Sequence, residues 1–291
     1  MIAVYGKNFK LANAPFAQEL FDYLHKKNMP FVVEEAFLKL MKDELKIKLE
    51  AESFTDFADI KATTDVLFSM GGDGTILDAV LMVKDSGIPI LGINFGRLGF
   101  LANIGRDKIH AAIDAIERGN YMIDKRSLLS MESNKPIFNN SFALNEMTIQ
   151  RKDQSSMITV HTYLNGEWLN SYWADGLIIS TPTGSTGYSL SCGGPIIYPT
   201  SNNFVITPVA PHNLNVRPMV VSDEVVLSFE VTGRGDSFLC TLDSRFRTID
   251  STYSIAIRKA GFTANFVRLN DQDFLSALKN KLHWGVDERN V

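Results

Sequence analysis

The chain of 291 residues is poor in cysteine, carries little net charge and has no long apolar run, and each shortage removes a class of function. Only Cys192 and Cys240 occur, far apart and without a C-x-x-C, which fits a reducing compartment with both as plain core thiols. There is no H-x-x-x-H and no cysteine cluster, so a tightly held zinc is not expected. The formal charge of −4 and a pI near 5.8 give no basic footprint for a nucleic-acid backbone. The apolar start Met1-Ile2-Ala3-Val4-Tyr5 meets Lys7 and Lys10 too soon for a signal peptide or a spanning helix, so a soluble cytoplasmic protein is expected, with no membrane partner. A Walker A sequence is missing, as is a G-x-G-x-x-G after the first strand. Phosphate chemistry therefore has to run without a P-loop lysine, and an ordinary dinucleotide-binding oxidoreductase is disfavoured. Repeats and low-complexity tracts are absent too.

What is present begins with Asp65 to Ala79, D-V-L-F-S-M-G-G-D-G-T-I-L-D-A. Val66 to Met70 has the apolar character of a buried strand in an α/β sheet. Gly71, Gly72 and Gly74 then let the backbone turn tightly, with no Cβ to hold a ligand away. Ile76, Leu77, Val80 and Leu81 lie on one helical face, and Thr75 is a reasonable N-cap. Free N–H groups gathered there suit phosphate oxygens. Asp73 is an odd guest in such a nest, because a fixed negative charge repels phosphate unless it holds a metal ion or takes a proton from a reacting hydroxyl. A plain tight turn remains the alternative.

Ile2 to Tyr5, Phe31 to Val33 and Ile88 to Ile93 add strands, while Pro15 to His25, Ala36 to Leu45 and Lys108 to Glu117 have helical spacing. Leu45, Ile47 and Leu49 alternate with charged residues in a strand-like pattern, which leaves the end of the second helix open. Strand, helix, strand around the glycine loop makes a parallel β-α-β crossover, so the loop Asn94-Phe95-Gly96-Arg97-Leu98-Gly99-Phe100-Leu101 should lie beside Gly71 to Gly74 at the carboxyl edge of the sheet. There Asn94 and Arg97 could serve a phosphate site, with Phe100 among the candidate binding residues. Alternatively the loop is only a βα turn, anchored in the core by Phe100 and Leu101.

After Arg118 the texture becomes all-β. Phe142 to Arg151, Met157 to Tyr163, Glu167 to Trp173, Gly176 to Ser180, Asn203 to Thr207, Glu224 to Val231, Ser237 to Thr241, Tyr253 to Lys259 and Phe262 to Val267 are expected strands, with Asn165-Gly166 as a hairpin turn. The expected fold is thus an α/β N-terminal domain with a parallel Rossmann-like sheet over residues 1–120 and a sandwich-like, all-β C-terminal domain over 121–269. A helix from Leu275 to Leu282, capped within Asp271 to Phe274, and a tail over 270–291 would pack back on the first domain.

The densest polar stretch runs from Ser180 to Pro195, with seven Ser or Thr and four Gly in sixteen residues. That composition is poor for a core and good for hydrogen bonds to sugar hydroxyls, amides and phosphates, with Tyr188 available to stack. Asp175 offers a carboxylate just upstream. Asn145-Glu146 interrupts an apolar strand, and a buried carboxylate needs a partner such as a ribose diol. A surface loop and an ordinary bulge are the plainer alternatives. His212, in a Pro-bounded turn, is expected to be structural.

Taken together, Gly71 to Thr75 (G-G-D-G-T), Asn94 to Leu101, Asn145-Glu146, Asp175-Gly176, Thr181 to Pro195 (T-P-T-G-S-T-G-Y-S-L-S-C-G-G-P), Pro211 to Leu214 and Arg217-Pro218 resemble the ATP-NAD kinases, in the family's order. The G-G-D-G-T element is shared with lipid kinases and related to one in phosphofructokinases; T-P-T-G-S-T-x-Y-S followed by G-G-P is far more specific. The resemblance implies transfer of the terminal phosphoryl of ATP, or of polyphosphate in some members, to the adenosine ribose 2′-hydroxyl of NAD, which lies between the two domains. It implies Mg²⁺ or another divalent ion, and a homodimer or homotetramer whose neighbouring subunit contributes to the site. Asp73 matches the proposed base and Gly71 to Gly74 the phosphate loop. Asn145 and Glu146 match residues at the nicotinamide-side ribose, Asp175 one of the dinucleotide pocket, and Thr183, Thr186, Tyr188 and Ser191 the lining around adenine and nicotinamide. Gly187 stands where alanine is usual, and Asp243-Ser244-Arg245 where many members have D-G-Q. A lipid or small-polyol kinase sharing the glycine element, and a non-catalytic dinucleotide sensor that needs no Asp73, are the alternatives.

Overall fold

The structure, a computed structural model, describes residues 1–7, 9–96, 99–102, 104–152, 156–235, 237–270 and 273–282. The chain divides into two compact units, residues 1–125 with 264–291, and residues 126–263.

In the first unit, strands β1 (Ile2–Gly6), β2 (Phe31–Glu34), β3 (Glu52–Phe54), β4 (Val66–Met70), β5 (Ile90–Asn94) and β6 (Ile104–Gly105) alternate with helices α1 (Ala14–Lys26), α2 (Glu35–Asp43), α3 (Phe57–Ile60), α4 (Asp73–Val83) and α5 (Ile109–Glu117). The strands pair in parallel in the order β3-β2-β1-β4-β5, as expected of a doubly wound sheet. Leu67 to Met70 stand opposite Ile90 to Ile93, so the glycine loop and the loop after β5 leave the same edge. All five residues of β4 and of β5 are buried, which explains their continuous apolar character. Helix α4 lies so close to β5 that a Cβ on Gly92 would meet Ile76 Cδ1 at 2.5 Å. After α2 the chain has no regular structure, with Leu45, Ile47 and Leu49 buried and Lys46, Lys48 and Glu50 exposed, so the ambiguous alternation is a half-buried segment that joins no sheet.

The chain passes into the second unit along β7 (Met122–Ser133) and continues as β8 (Phe142–Ala143), β9 (Glu146–Arg151), β10 (Ile158–Leu164), β11 (Glu167–Ala174), β12 (Gly176–Ser180), α6 (Tyr188–Ser191), β13 (Asn203–Val209), β14 (Met219–Ser222), β15 (Leu227–Gly233), β16 (Phe238–Leu242) and β17 (Arg245–Ile249); β18 (Ser254–Arg268) leads back into the first unit, which α7 (Phe274–Leu282) joins. One antiparallel sheet runs β14-β13-β12-β9-β16-β17, and a second group pairs antiparallel in the order β11-β10-β15-β18, through the first part of β18. Side chains of both groups, among them Val160, Phe229, Ile179, Phe204 and Phe238, share one core, the sandwich-like packing expected. Asn165 and Gly166, at φ 52° and 85°, make the predicted hairpin turn between β10 and β11. Two expectations fail. The two strands drawn from Tyr253 to Val267 are one fifteen-residue strand, because pairing on either side of Gly261 overrides the glycine. The strand expected from Phe142 to Arg151 breaks at Leu144-Asn145.

Candidate active site

In the first unit the helix begins earlier than predicted. Gly72 is the N-cap of α4 and its carbonyl accepts from the N–H groups of Thr75 (3.0 Å) and Ile76 (3.3 Å), so Thr75 lies inside the first turn and is not the cap. The physical reason is Asp73: a carboxylate in the first turn meets the positive end of the helix dipole, which favours starting the helix there. Gly71 must be glycine, since a Cβ would stand 2.2 Å from Thr75 Oγ1. At Gly72 and Gly74 a Cβ would meet nothing within 4 Å, so no described protein atom demands glycine at either position.

The Asp73 carboxylate is not isolated among its glycines. Its Oδ2 accepts the N–H of Phe100 at 2.9 Å, and its Oδ1 accepts those of Leu101 at 3.2 Å and Ala102 at 2.9 Å. The two loops that the crossover was expected to bring together are thus tied through this one side chain. Gly99 makes the approach possible, because a Cβ there would stand 1.7 Å from Asp73 Oδ1. Asn94 is buried, and its Oδ1 accepts the N–H of Gly96 at 2.8 Å. Leu101 is buried and Phe100 half-buried, the Phe100 ring facing Phe274 of α7 at 6.3 Å and the Lys281 ammonium at 4.5 Å. Lys281 Nζ also stands 3.8 Å from Asp73 Oδ2. Arg97 lies outside the described residues.

In the second unit a second aspartate repeats this arrangement. Asp243 Oδ2 accepts the N–H of Leu144 at 2.9 Å, and Oδ1 those of Asn145 at 2.8 Å and Glu146 at 3.2 Å. Those bonds hold the break at Leu144-Asn145, directly before Glu146 opens β9. Asp243 itself sits at φ 51° in the two-residue turn between β16 and β17, a conformation that aspartate tolerates better than most residues. Arg245, in the position of the usual glutamine, donates to the carbonyls of Asn140 and Phe142, so the turn survives the departure from D-G-Q. Glu146 Oε2 is buried and has no hydrogen-bond partner among the described residues. Burial, followed by the charge of Asp243, pushes the Glu146 carboxyl up to about 8. Gly187 keeps space there: a Cβ would stand 3.2 Å from Glu146 Oε2 and 3.1 Å from the Gly184 carbonyl oxygen.

The hydroxyl-rich segment divides by direction. Thr181, Ser185 and Ser189, at spacing four, are fully buried and bond inward: Thr181 Oγ1 to the Leu144 carbonyl at 2.5 Å, Ser185 Oγ to the Pro182 carbonyl at 2.7 Å, Ser189 Oγ to Thr207 Oγ1 at 2.8 Å. Thr183 is buried beside the Arg126 guanidinium, which reaches its Oγ1 at 3.4 Å, and Thr186 Oγ1 donates to the Thr183 carbonyl at 3.2 Å. Tyr188 and Ser191 are exposed. Asp175 pairs with Arg151 at 3.1 Å. His212 packs against Trp173, with ring centroids 4.1 Å apart and the planes tilted by 33°. Cys240 is buried, which pushes its thiol up to about 12, but Cys192 ends α6 half-buried, not in the core as expected. Gly99 and Lys281 were not singled out from the sequence. The glycine in G-R-L-G-F was a usable signal for the first; nothing marks a lysine 208 positions from its aspartate.

With this geometry in hand, known proteins supply the comparison. The ATP-NAD kinase N-terminal domain family matches residues 2–121, and the ATP-NAD kinase C-terminal domain family matches 144–269. The NAD kinase of Cytophaga hutchinsonii is 44% identical over 100% of both chains, and that of Flavobacterium psychrophilum 46% identical over 99% of both. Among solved structures, yeast NADH kinase complexed with NADH superposes with a TM-score of 0.88 at 22% identity, over 100% of this chain and 89% of that one. An NAD kinase from Archaeoglobus fulgidus in complex with ATP superposes at 0.74 with 24% identity, over 97% and 99%. Those two likenesses concern the fold; the matches of the family models and the full-length relatives establish that this chain belongs to the ATP-NAD kinase family.

Proposed function

We propose that Asp73 takes the proton of the adenosine ribose 2′-hydroxyl of NAD as the terminal phosphoryl of ATP moves onto that oxygen. The overall reaction is the family's, ATP-dependent phosphorylation of NAD to NADP, a phosphoryl transfer to an alcohol group. A ribose hydroxyl is a weak acid, and its oxygen becomes a competent nucleophile only as its proton leaves. A carboxylate can accept that proton late, when the new P–O bond has already acidified the hydroxyl.

The observation that carries the assignment is a fixed carboxylate with one position open. A carboxylate has about four lone-pair sites. Two amides occupy Oδ1 and one occupies Oδ2, so Oδ2 is the oxygen left to receive a proton. Gly71, Gly72, Gly74, Thr75 and Asn94, with Phe100, serve the phosphate side in this account. Asn145, Glu146, Asp175, Thr183, Thr186, Gly187, Tyr188 and Ser191 serve the dinucleotide, where the buried, unpartnered Glu146 oxygen supports the assignment.

A divalent ion belongs to the same proposal. Among the described residues no three His, Cys, Asp or Glu side chains gather to cage one, which suits Mg²⁺ carried on the triphosphate. Such an ion supplies charge neutralisation at the phosphates. No described helix is long and apolar enough to cross a membrane, in keeping with a cytoplasmic enzyme. The exposed Trp168, Trp173, Leu214 and Phe246 support a homodimer or homotetramer, which sedimentation would test.

The test is turnover of Asp73→Asn with NAD and Mg·ATP. Loss of a general base costs roughly 10²- to 10⁴-fold. A loss within about threefold, with NAD affinity unchanged, sinks the role. The same assay with polyphosphate and with NADH settles donor and acceptor range.

A further inference from the structure

The glycine loop poses an electrostatic difficulty that the three amides only partly resolve. It carries a carboxylate where a triphosphate must settle, and the chain has no Walker A lysine to offset it. A cation does reach the spot from the other end of the chain. Helix α7 places Lys281 Nζ 3.8 Å from Asp73 Oδ2 and 4.5 Å from the Phe100 ring centroid, so its position is set both by charge and by the ring face. Phe274, seven residues earlier and so two turns back on α7, packs on the same Phe100 ring, and Leu278 between them is buried. The helix is therefore docked on the segment whose backbone holds Asp73, and the ammonium is the part of it that reaches the carboxylate. Both members of the pair keep about a third of their side-chain surface open, 30% for Lys281 and 34% for Asp73, so a ligand can reach them.

We propose that Lys281 is a positioning residue for the phosphoryl donor: as the counter-charge of Asp73, it lets a nucleoside triphosphate enter a glycine loop that has no lysine of its own. The inference rests on the kinase reading and adds to it a residue far outside the phosphate loop. It accounts for a carboxylate in a phosphate nest without requiring the acid to be neutral before the donor binds. The charge at 3.8 Å is too far for a good hydrogen bond, so Oδ2 keeps its open acceptor position.

The test reads ATP affinity by calorimetry, with Mg²⁺ present, on the full chain. Lys281→Met keeps an apolar stem against Phe100 and removes the charge. It should bind ATP about tenfold more weakly, a loss on the scale of one charge-assisted contact, with NAD affinity unchanged. Lys281→Arg should stay within about threefold of wild type, because it keeps the charge and the ring contact. The decisive arm is the double variant Lys281→Met with Asp73→Asn. With the carboxylate gone the counter-charge is no longer needed, so ATP affinity should return to within about threefold of Asp73→Asn alone. A merely structural role for Lys281 gives no such rescue. Unchanged ATP binding by Lys281→Met, or a double variant as weak as Lys281→Met, overturns the inference. Wild-type protein that forms no NADP overturns the kinase reading instead, so the two failures are distinct.

Discussion

Asp73 and Asp243 solve the same local problem in two different units and end with opposite neighbours. Each accepts three successive backbone N–H groups, two on Oδ1 and one on Oδ2: residues 100–102 at Asp73, residues 144–146 at Asp243. At Asp73 the charged neighbour is the Lys281 ammonium and the setting is the first turn of a helix, so the carboxylate faces a cation and stays half-open. At Asp243 the neighbour is a second acid, Glu146, and burial pushes both carboxyls up, against the amides and Arg245 that favour the Asp243 anion. A three-amide cradle therefore does not by itself make a reactive acid. The sign and openness of what faces the remaining lone pair decide whether the carboxylate is available to a substrate or serves as a fastener.

The sharpest way to break the comparison is at Gly99. An added Cβ would stand 1.7 Å from Asp73 Oδ1, and backbone cannot yield that much without releasing the carboxylate. Gly99→Ala should therefore lower kcat by about 10²-fold or more, as expected when a reacting group is displaced by an ångström. ATP-free stability should fall by only about 1–3 kcal/mol, the range for local overpacking. A variant with normal kcat would show that the amide cradle does not matter to Asp73.

At Asp243 the balance should reverse, with stability carrying the effect. Asp243→Ala leaves the N–H groups of Leu144, Asn145 and Glu146 without their acceptor, in a segment that also supplies the Asn145 carbonyl to Thr181 N. Each unsatisfied buried donor costs on the order of 1–3 kcal/mol, so a total of about 3 kcal/mol or more is expected in urea unfolding. Should the midpoint hardly move while turnover collapses, Asp243 would belong with Asp73 as a working acid and the contrast would dissolve.

How much of this the sequence displays depends on how local the cause is. The strand, glycine turn and helix around Asp73 are legible because burial of β4, the missing Cβ atoms and the helical face each act over a few residues. The β4–α4–β5 crossover then fixes which loops share an edge. The inward half of the hydroxyl segment is not legible: a composition poor for a core says nothing of Thr181, Ser185 and Ser189 being fully buried, because a count treats them like Thr186 and Ser191. Nor is strand β7: Asp124, Lys125 and Arg126 interrupt its pattern, and only sheet pairing makes it extended. The cradles are invisible for a different reason. Backbone amides carry no residue identity, so the partners of Asp73 and Asp243 leave only an indirect trace, a glycine at 99 and a break at Leu144-Asn145.

The smallest effect tests the neighbour of Asp243. Glu146 has a folded-state value raised from 4.5 to about 8, so the folded protein holds a proton there that the unfolded chain has already lost across that window. Stability is then full below about 4.5, falls as pH rises toward about 8, and levels off above it. Glu146→Gln, which cannot ionise, should flatten this slope: the wild-type midpoint in urea drops between pH 5 and pH 8 more than the variant's does. Asp243→Ala should shrink the same slope in part, because it removes the charge and leaves the burial. Identical pH profiles for wild type and Glu146→Gln would mean that Glu146 is ionised like an ordinary surface acid. The two aspartates would then differ in exposure alone, not in the company they keep.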